Sequence, residues 1–251
     1  MITVNSYLES FNLRDYPFRL TPDPSYYYPS QEHVTALLSL EYCMTQKEGF
    51  CMLTGEPGTG KTTVLRIFMN IWQERAEIAL IMTPRLSPEE FLRAVLDDLN
   101  VPLVKPGKNE MIKAFRDFLI DHSLAGRGVT IIVDEAQNLP DDTLEELRLL
   151  SNLETDREKL LQIILVGQPE LVRKLQEQGL KQLDQRIAFR TALNPLSPTN
   201  TADYLQTRLI KLLTTPKQKT STILERVIAC DRITLYKPNR GTMPNFALCF
   251  W

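Results

Sequence analysis

Gly55-Glu56-Pro57-Gly58-Thr59-Gly60-Lys61-Thr62 follows the spacing G-x-x-x-x-G-K-[ST], the pattern of a loop that wraps phosphate groups. Ahead of it, Phe50, Cys51, Met52 and Leu53 form a short apolar run of strand length; behind it, Thr63 to Trp72 repeats its apolar residues at helical spacing. The pattern thus sits at a strand-to-helix turn, the setting its chemistry needs. An ordinary glycine-rich turn is the alternative, and the flanking strand and helix weigh against it.

The residue types explain the spacing. Gly55, Gly58 and Gly60 are expected to take positive φ angles and let successive backbone N–H groups turn toward phosphate oxygens. Lys61 opens the helix, where the dipole already favours an anion, and would reach the β and γ phosphates of a nucleoside triphosphate. Thr62 would offer its hydroxyl to Mg2+. Glu56, Pro57, Thr59 and Thr63 complete the set expected to line the nucleotide. These features predict binding of ATP, and not yet its hydrolysis.

The chain has 251 residues, 43% of them hydrophobic, enough for one large domain or one domain with a small appendage. A net charge of -2 provides no global basic field for nucleic acid or an anionic membrane, although a local DNA-binding patch stays open. Cys43, Cys51, Cys230 and Cys249 show no C-x-x-C pairing and read as reduced core residues of a cytosolic protein rather than zinc ligands. Met1 to Ser10 lacks the basic and apolar regions of a signal peptide, and no apolar run approaches the roughly 20 residues of a membrane span. A soluble, cytoplasmic protein is expected.

Phe11 to Pro29 is rich in proline and aromatic residues and reads as an extended segment pinned by its rings, either a lid over the domain edge or a wall of the adenine pocket. Ser30 to Lys47 carries Val34, Leu37, Leu38, Leu40 and Tyr42 close to a helical stripe. Strands are expected at Glu77 to Met82, Val129 to Val133, Leu160 to Val166 and Ile187 to Leu193, each apolar on both faces. Helices are expected at Glu110 to Leu124, Asp141 to Leu150, Pro169 to Gln178 and Leu180 to Gln185. Another opens at Ser87-Pro88-Glu89-Glu90 with a capping box, and Phe91, Leu92, Val95, Leu96 and Leu99 lie on its inner face. The alternation indicates an α/β fold with a parallel sheet covered on both sides. Asn194 to Pro198 then reads as a boundary, with Ser197 capping a helix over Asn200 to Leu213 and a further helix over Thr222 to Ile233. This divides the chain into an N-terminal segment packing on the core (1–30), the core (31–195) and a small helical lid (196–251).

Val129 to Val133 ends in Asp134-Glu135, the arrangement of a Walker B element. Asp134 would hold Mg2+ and Glu135 would polarise an attacking water, because two carboxylates at the end of a buried strand need a metal or donors to offset their desolvation. Gln168, after the next strand, would hold that water or sense the γ-phosphate; capping the following helix is its alternative. Arg186 is the candidate arginine finger across a subunit interface, with Arg190 competing and a surface salt bridge open to either.

Thr21-Pro22-Asp23-Pro24, the phosphate-binding loop, Asp134 to Leu139, Glu146 to Glu154 and Val166 to Leu171 together resemble AAA+ ATPases of the general secretion pathway protein A type. Related ATPases serve type IV-like pilus biogenesis and exosortase-linked polysaccharide export. The resemblance runs from about Phe11 to Leu213. It implies a three-layer α/β/α P-loop core with a five-stranded parallel sheet, a helical lid, ATP with Mg2+, and assembly into a homo-oligomer or activation by a partner in a secretion or pilus apparatus, reached at the inner membrane through that partner. It also implies that Gln168 takes the sensor 1 place, Arg186 the finger place, and Lys61 and Glu135 the catalytic ones. The chain departs from the family's lid motif Gly-x-Pro-Arg, where it reads Gly241-Thr242-Met243-Pro244-Asn245, with Arg240 out of register. The lid therefore reads as truncated or divergent. Two other readings stay open, an AAA+ regulator of DNA transposition and a nucleotide-gated scaffold with little hydrolysis.

Overall fold

The computed structural model describes residues 8–9, 11–17, 26–82, 85–102, 107–154, 159–213, 235–236 and 247–248. Five parallel strands, β1 (Phe50–Gly55), β2 (Ala76–Ile81), β3 (Gly128–Val133), β4 (Leu161–Gly167) and β5 (Ile187–Leu193), form one sheet in the order β2-β3-β4-β1-β5. Helices precede, connect or follow them: α1 (Gln31–Thr45), α2 (Lys61–Trp72), α3 (Pro88–Asp98), α4 (Lys108–Leu124), α5 (Asp141–Leu150), α6 (Glu170–Leu175), α7 (Lys181–Asp184) and α8 (Pro198–Leu212). The chain leaves the middle of the sheet at β1, restarts at the β2 edge and works back, so β1 and β4 meet where the strand order reverses. Ligands of open parallel sheets bind at the carboxyl ends of strands at such a point.

Strand alternation sorts the core into two layers. Phe50 and Met52 of β1, Val129, Ile131 and Val133 of β3, and Leu161, Ile163 and Leu165 of β4 pack with α3 to α7. The intervening residues Cys51, Leu53, Ile132, Ile164 and Val166 pack with α1 and α2. The expected three-layer α/β/α arrangement is present. Two polar residues interrupt the second face. Buried Thr130 Oγ1 donates to Met44 Sδ at 3.1 Å, and buried Gln162 Nε2 donates to the Lys159 carbonyl at 3.4 Å.

Local sequence rules account for the helix starts. Ser87 Oγ accepts from Glu90 N while a Glu90 carboxylate oxygen accepts from Ser87 N, the reciprocal box expected, with Pro88 in the first turn. Ser197 caps α8 in the same way without the return bond. Three expectations are corrected. On α1 the buried face is His33, Ala36, Leu40, Cys43 and Met44, and Val34, Leu38 and Tyr42 are exposed, because the small Ala36 and Cys43 let the helix lie close on the sheet. β5 is buried at its ends and exposed at Ala188, Arg190 and Ala192, as an edge strand with β1 as its one neighbour. The helix read over Pro169 to Gln178 is the shorter α6, capped at Gln176.

The described part of the N-terminal segment packs on α8. Phe11 and Leu13 cluster with Leu209, Leu212 and Leu213, and Leu13 bridges Leu213 in antiparallel fashion. Arg208 Nε donates to the Pro17 carbonyl, and its guanidinium lies 4.9 Å from the centre of the Tyr26 ring. Tyr28 meets Tyr204 edge to face. Beyond α8, Leu235–Tyr236 pairs antiparallel with Ala247–Leu248, a short ladder that lies past the two helices expected for the lid. The expected helix over Thr222 to Ile233, the Gly241 to Asn245 stretch with Arg240, the Thr21 to Pro24 motif, Cys230 and Cys249 lie outside the described residues.

Cys43 and Cys51 are free and buried, and the neighbouring Cys51 thiol together with burial pushes the Cys43 thiol far above its ordinary range. Among the described residues there is no metal-binding cluster of His, Cys, Asp and Glu, and no helix is long and apolar enough to cross a membrane. Two substitutions test the layer packing. Phe115→Ala, at a fully buried position, should cost about 3–5 kcal/mol in urea unfolding. Ser87→Ala, which removes only the capping box, should cost about 1 kcal/mol.

Candidate functional site

The carboxyl ends of β1, β3 and β4 bring three separate stretches together: the Gly55 loop, Asp134-Glu135 and Gly167-Gln168. Gly58 and Gly60 take φ angles of 80° and 94°, as the loop chemistry requires. Gly55 corrects the expectation of positive φ, since it is the last residue of β1. Its need for glycine is space: a Cβ there would lie 2.6 Å from Thr59 Oγ1 and 2.7 Å from the Leu193 carbonyl. Thr59 closes the turn, donating from its backbone N–H and its hydroxyl to the Glu56 carbonyl at 3.2 and 2.8 Å. Glu56, Pro57 and Gly58 are exposed on the outer side of the loop.

Gly60 is the N-cap of α2, and no side chain caps this N-terminus. The first-turn N–H groups are therefore directed outward at the positive end of the helix, a natural place for an anion. Lys61 is buried, and its ammonium donates to the carbonyls of Gly55 at 2.7 Å and Glu56 at 3.0 Å. Burial pulls its pKa below the ordinary lysine value, against the raising influence of Glu135, Asp134 and Glu56. Thr62 and Thr63 follow, half-buried, in the first turn.

Asp134 is buried at the end of β3, and its Oδ1 accepts from the Glu135 N–H at 2.9 Å. Desolvation, helped by the Glu135 charge, raises its pKa above the ordinary aspartate value; that backbone bond and Lys61 act the other way. Glu135 has φ 52° and ψ 39°, a left-handed conformation that costs a non-glycine residue about 1–2 kcal/mol. Strain of this kind persists where surrounding contacts fix it. Here Glu135 Oε2 accepts from Gln137 Nε2 at 2.6 Å and from Gln168 Nε2 at 3.3 Å, and Gln137 Oε1 accepts from the Gln168 backbone N–H at 3.1 Å. Gln168 thus directs its side chain to Glu135 and leaves α6 uncapped by any side chain.

Two contributors escaped the sequence reading. Gln137 lies two residues beyond Glu135 and joins it to Gln168; Gly167 leaves room for it, since a Cβ there would stand 2.5 Å from Gln137 Oε1. A polar residue so soon after the acidic pair was the available signal. His33, whose Nε2 meets the Thr59 carbonyl at 3.0 Å, comes from α1 with no local pattern to announce it.

The two arginines stand apart from this cluster. Arg186 Nη1 donates to the Arg148 carbonyl at 3.2 Å, Ser151 Oγ at 3.0 Å and Asn152 Oδ1 at 2.5 Å, serving the C-terminal end of α5. Arg190 Nη1 pairs with Asp184 Oδ1 at 2.8 Å.

The AAA domain model matches residues 44–175, which span β1 through α6 and include Lys61, Asp134, Glu135, Gln137 and Gln168. The chain belongs to the AAA domain family. Over an alignment of 249 positions that covers 94% of the chain, the protein is also 40% identical to General secretion pathway protein A of Aeromonas hydrophila, of which it spans 46%, about half. Its fold is shared with Cdc6p from Pyrobaculum aerophilum, with a TM-score of 0.62 and 18% identity over 82% of this chain and 58% of that one. It is likewise shared with the Aeropyrum pernix ORC2 protein, with a TM-score of 0.63 and 14% identity over 86% of this chain and 61% of that one. The chain is an AAA-type ATPase by fold, related to a general secretion pathway protein.

The raised pKa of Asp134 makes a signed prediction. A folded-state pKa above the unfolded value means that ionised Asp134 opposes folding, fully at neutral pH and less as pH falls through the raised folded value. In ligand-free protein at pH 7.5, Asp134→Asn should therefore raise the thermal midpoint by about 2–4 °C for each kcal/mol relieved. The gain should shrink on acidification below the folded pKa, as a pH series of melting curves will show.

Proposed function

We propose that the chain binds ATP with Mg2+ at Gly55 to Thr63 and hydrolyses it. The observation that carries this reading is the meeting of a buried ammonium with two carboxylates at the end of an uncapped helix: Lys61, Asp134 and Glu135 beside the start of α2. With one positive and two negative charges, these side chains sum to a net negative site when ionised. A polyphosphate approaching it needs a cation between. Asp134 and Thr62 would hold that metal, and the oxygen donors they offer suit Mg2+. When bound, Mg2+ would neutralise charge on the phosphates. Phosphate oxygens would replace the Gly55 and Glu56 carbonyls as partners of Lys61.

The chain's own residues supply the rest. Glu135 would accept the proton of an attacking water, and Gln168 would orient that water and report the presence of the terminal phosphate. Glu135 is presently engaged by the amides of Gln137 and Gln168, so it would have to exchange those partners to act. A neighbouring copy would present Arg186 as the finger in a homo-oligomer, giving up its contacts at the end of α5; Arg190 is the competing donor. The Aeropyrum pernix ORC2 protein, which shares this fold, forms ADPNP-ADP complexes, in keeping with a nucleotide site in this fold.

The likeness to General secretion pathway protein A supports a role as an energy-coupling or assembly factor for a bacterial secretion, pilus or polysaccharide-export apparatus. The protein would work in the cytoplasm, held at the inner membrane by a protein partner. Three measurements test the enzymatic part. Glu135→Gln should retain ATP binding and lose phosphate release, while Lys61→Ala should lose binding. Specific activity of the wild type should rise with protein concentration if the site is completed between subunits. Phosphate release by Glu135→Gln at the wild-type rate would remove Glu135 from the chemistry.

A further inference from the structure

The first turn of α1 reaches the back of the phosphate-binding loop. His33 is 8% exposed, and its two ring nitrogens are both engaged. Nε2 stands 3.0 Å from the Thr59 carbonyl, which can only accept, so Nε2 carries the proton. Nδ1 is then the acceptor for Ser30 Oγ, 2.5 Å away, and the same hydroxyl oxygen accepts from the His33 backbone N–H at 3.4 Å as the cap of α1. Ser30 thus fixes the tautomer that His33 needs in order to donate to the loop. The edge of the Tyr27 ring system, 6.1 Å between centroids and at 83°, closes another side of the imidazole.

A trans peptide directs its carbonyl and its N–H to opposite sides. Drawing the Thr59 carbonyl toward His33 therefore turns the Gly60 N–H toward the other side of the loop, where Lys61 and the start of α2 face the phosphate site. Contact reinforces the bond, because a Cβ on Gly60 would lie 2.5 Å from His33 Nε2. The imidazole fills the space that glycine leaves and supports the left-handed turn at φ 94°. Burial lowers the His33 pKa, against the Thr59 carbonyl and Glu32, which raise it. That keeps the ring neutral, the form able to accept from Ser30. Glu32 also accepts from the Asn194 N–H at 3.0 Å, so the same helical turn holds the loop and the exit of β5.

We propose that His33 is a positioning residue of the phosphate-binding loop, donating from Nε2 to the Thr59 carbonyl so that the Gly60 N–H is set toward the nucleotide phosphates. This rests on ATP binding at Gly55 to Thr63, which the wild type and Lys61→Ala test in the same titration. The discriminating variants are His33→Gln, His33→Asn and His33→Phe. Glutamine places an amide N–H near the Nε2 position, asparagine is polar but reaches only the Nδ1 position, and phenylalanine keeps the ring shape without a donor. ATP affinity of each, measured by calorimetric titration with Mg2+ at pH 7.5, should fall about tenfold for Asn and Phe, equivalent to ~1.4 kcal/mol, and return to near the wild-type value for Gln. At saturating ATP the rate should change much less than KM. Wild-type affinity in both Asn and Phe overturns the proposal, as does a Gln variant as weak as Asn. Failure of the wild type to bind ATP would instead remove the nucleotide reading itself.

Discussion

A buried ammonium has to be matched by oxygen, and Lys61 sets that requirement at the end of β1. Its charge lies in a turn that leaves it the carbonyls of Gly55 and Glu56 as direct partners and the carboxylates of Asp134 and Glu135 as electrostatic neighbours. Two neutral carbonyls compensate a desolvated cation only in part. The loop, the helix start and the acidic pair therefore describe one electrostatic problem. The site lowers the lysine pKa, raises that of Asp134 and keeps Glu135 in a left-handed conformation, each a cost that a ligand of suitable charge would relieve.

The sheet makes this concentration of charge sustainable. Because β1 pairs with β4 and β4 with β3 in parallel register, all three strands end at the same edge, and their polar residues come after the apolar runs have been buried. Two packed layers hold the strand ends in place for a network in which the side-chain amides of Gln137 and Gln168 donate to Glu135 and the Gln168 backbone N–H donates to Gln137. On the opposite side of the loop, α1 brings His33 against Gly60. The loop is thus supported from one side by an imidazole and faced from the other by carboxylates.

Much of this was legible in the sequence because its signals are local. The strand ending in Asp134-Glu135, the box at Ser87 and Glu90, and the cap at Ser197 each declare themselves within a few residues. What was missed depends on distance or on space. His33 meets Thr59 across 26 positions, and neither residue carries a pattern that points to the other. Gly55 was read for backbone freedom, whereas close approach of Thr59 and Leu193 is what requires it. The exposed side of α1 misled because Val34, Leu38 and Tyr42 share helical spacing, yet the small residues Ala36 and Cys43 mark the face that fits the sheet. Arg186 carries a role in the single chain, at the end of α5, that proximity to the fifth strand did not reveal.

Hydrogen exchange of the wild-type chain, read by mass spectrometry with and without ATP and Mg2+, tests the nucleotide site most directly. Slowed exchange is expected in the loop and first turn of α2, residues 55–65, and around residues 134–137, with little change on the far edge of the sheet at β2. Unaltered exchange in both stretches at saturating ATP, or protection confined to other parts of the chain, would contradict nucleotide binding at this loop.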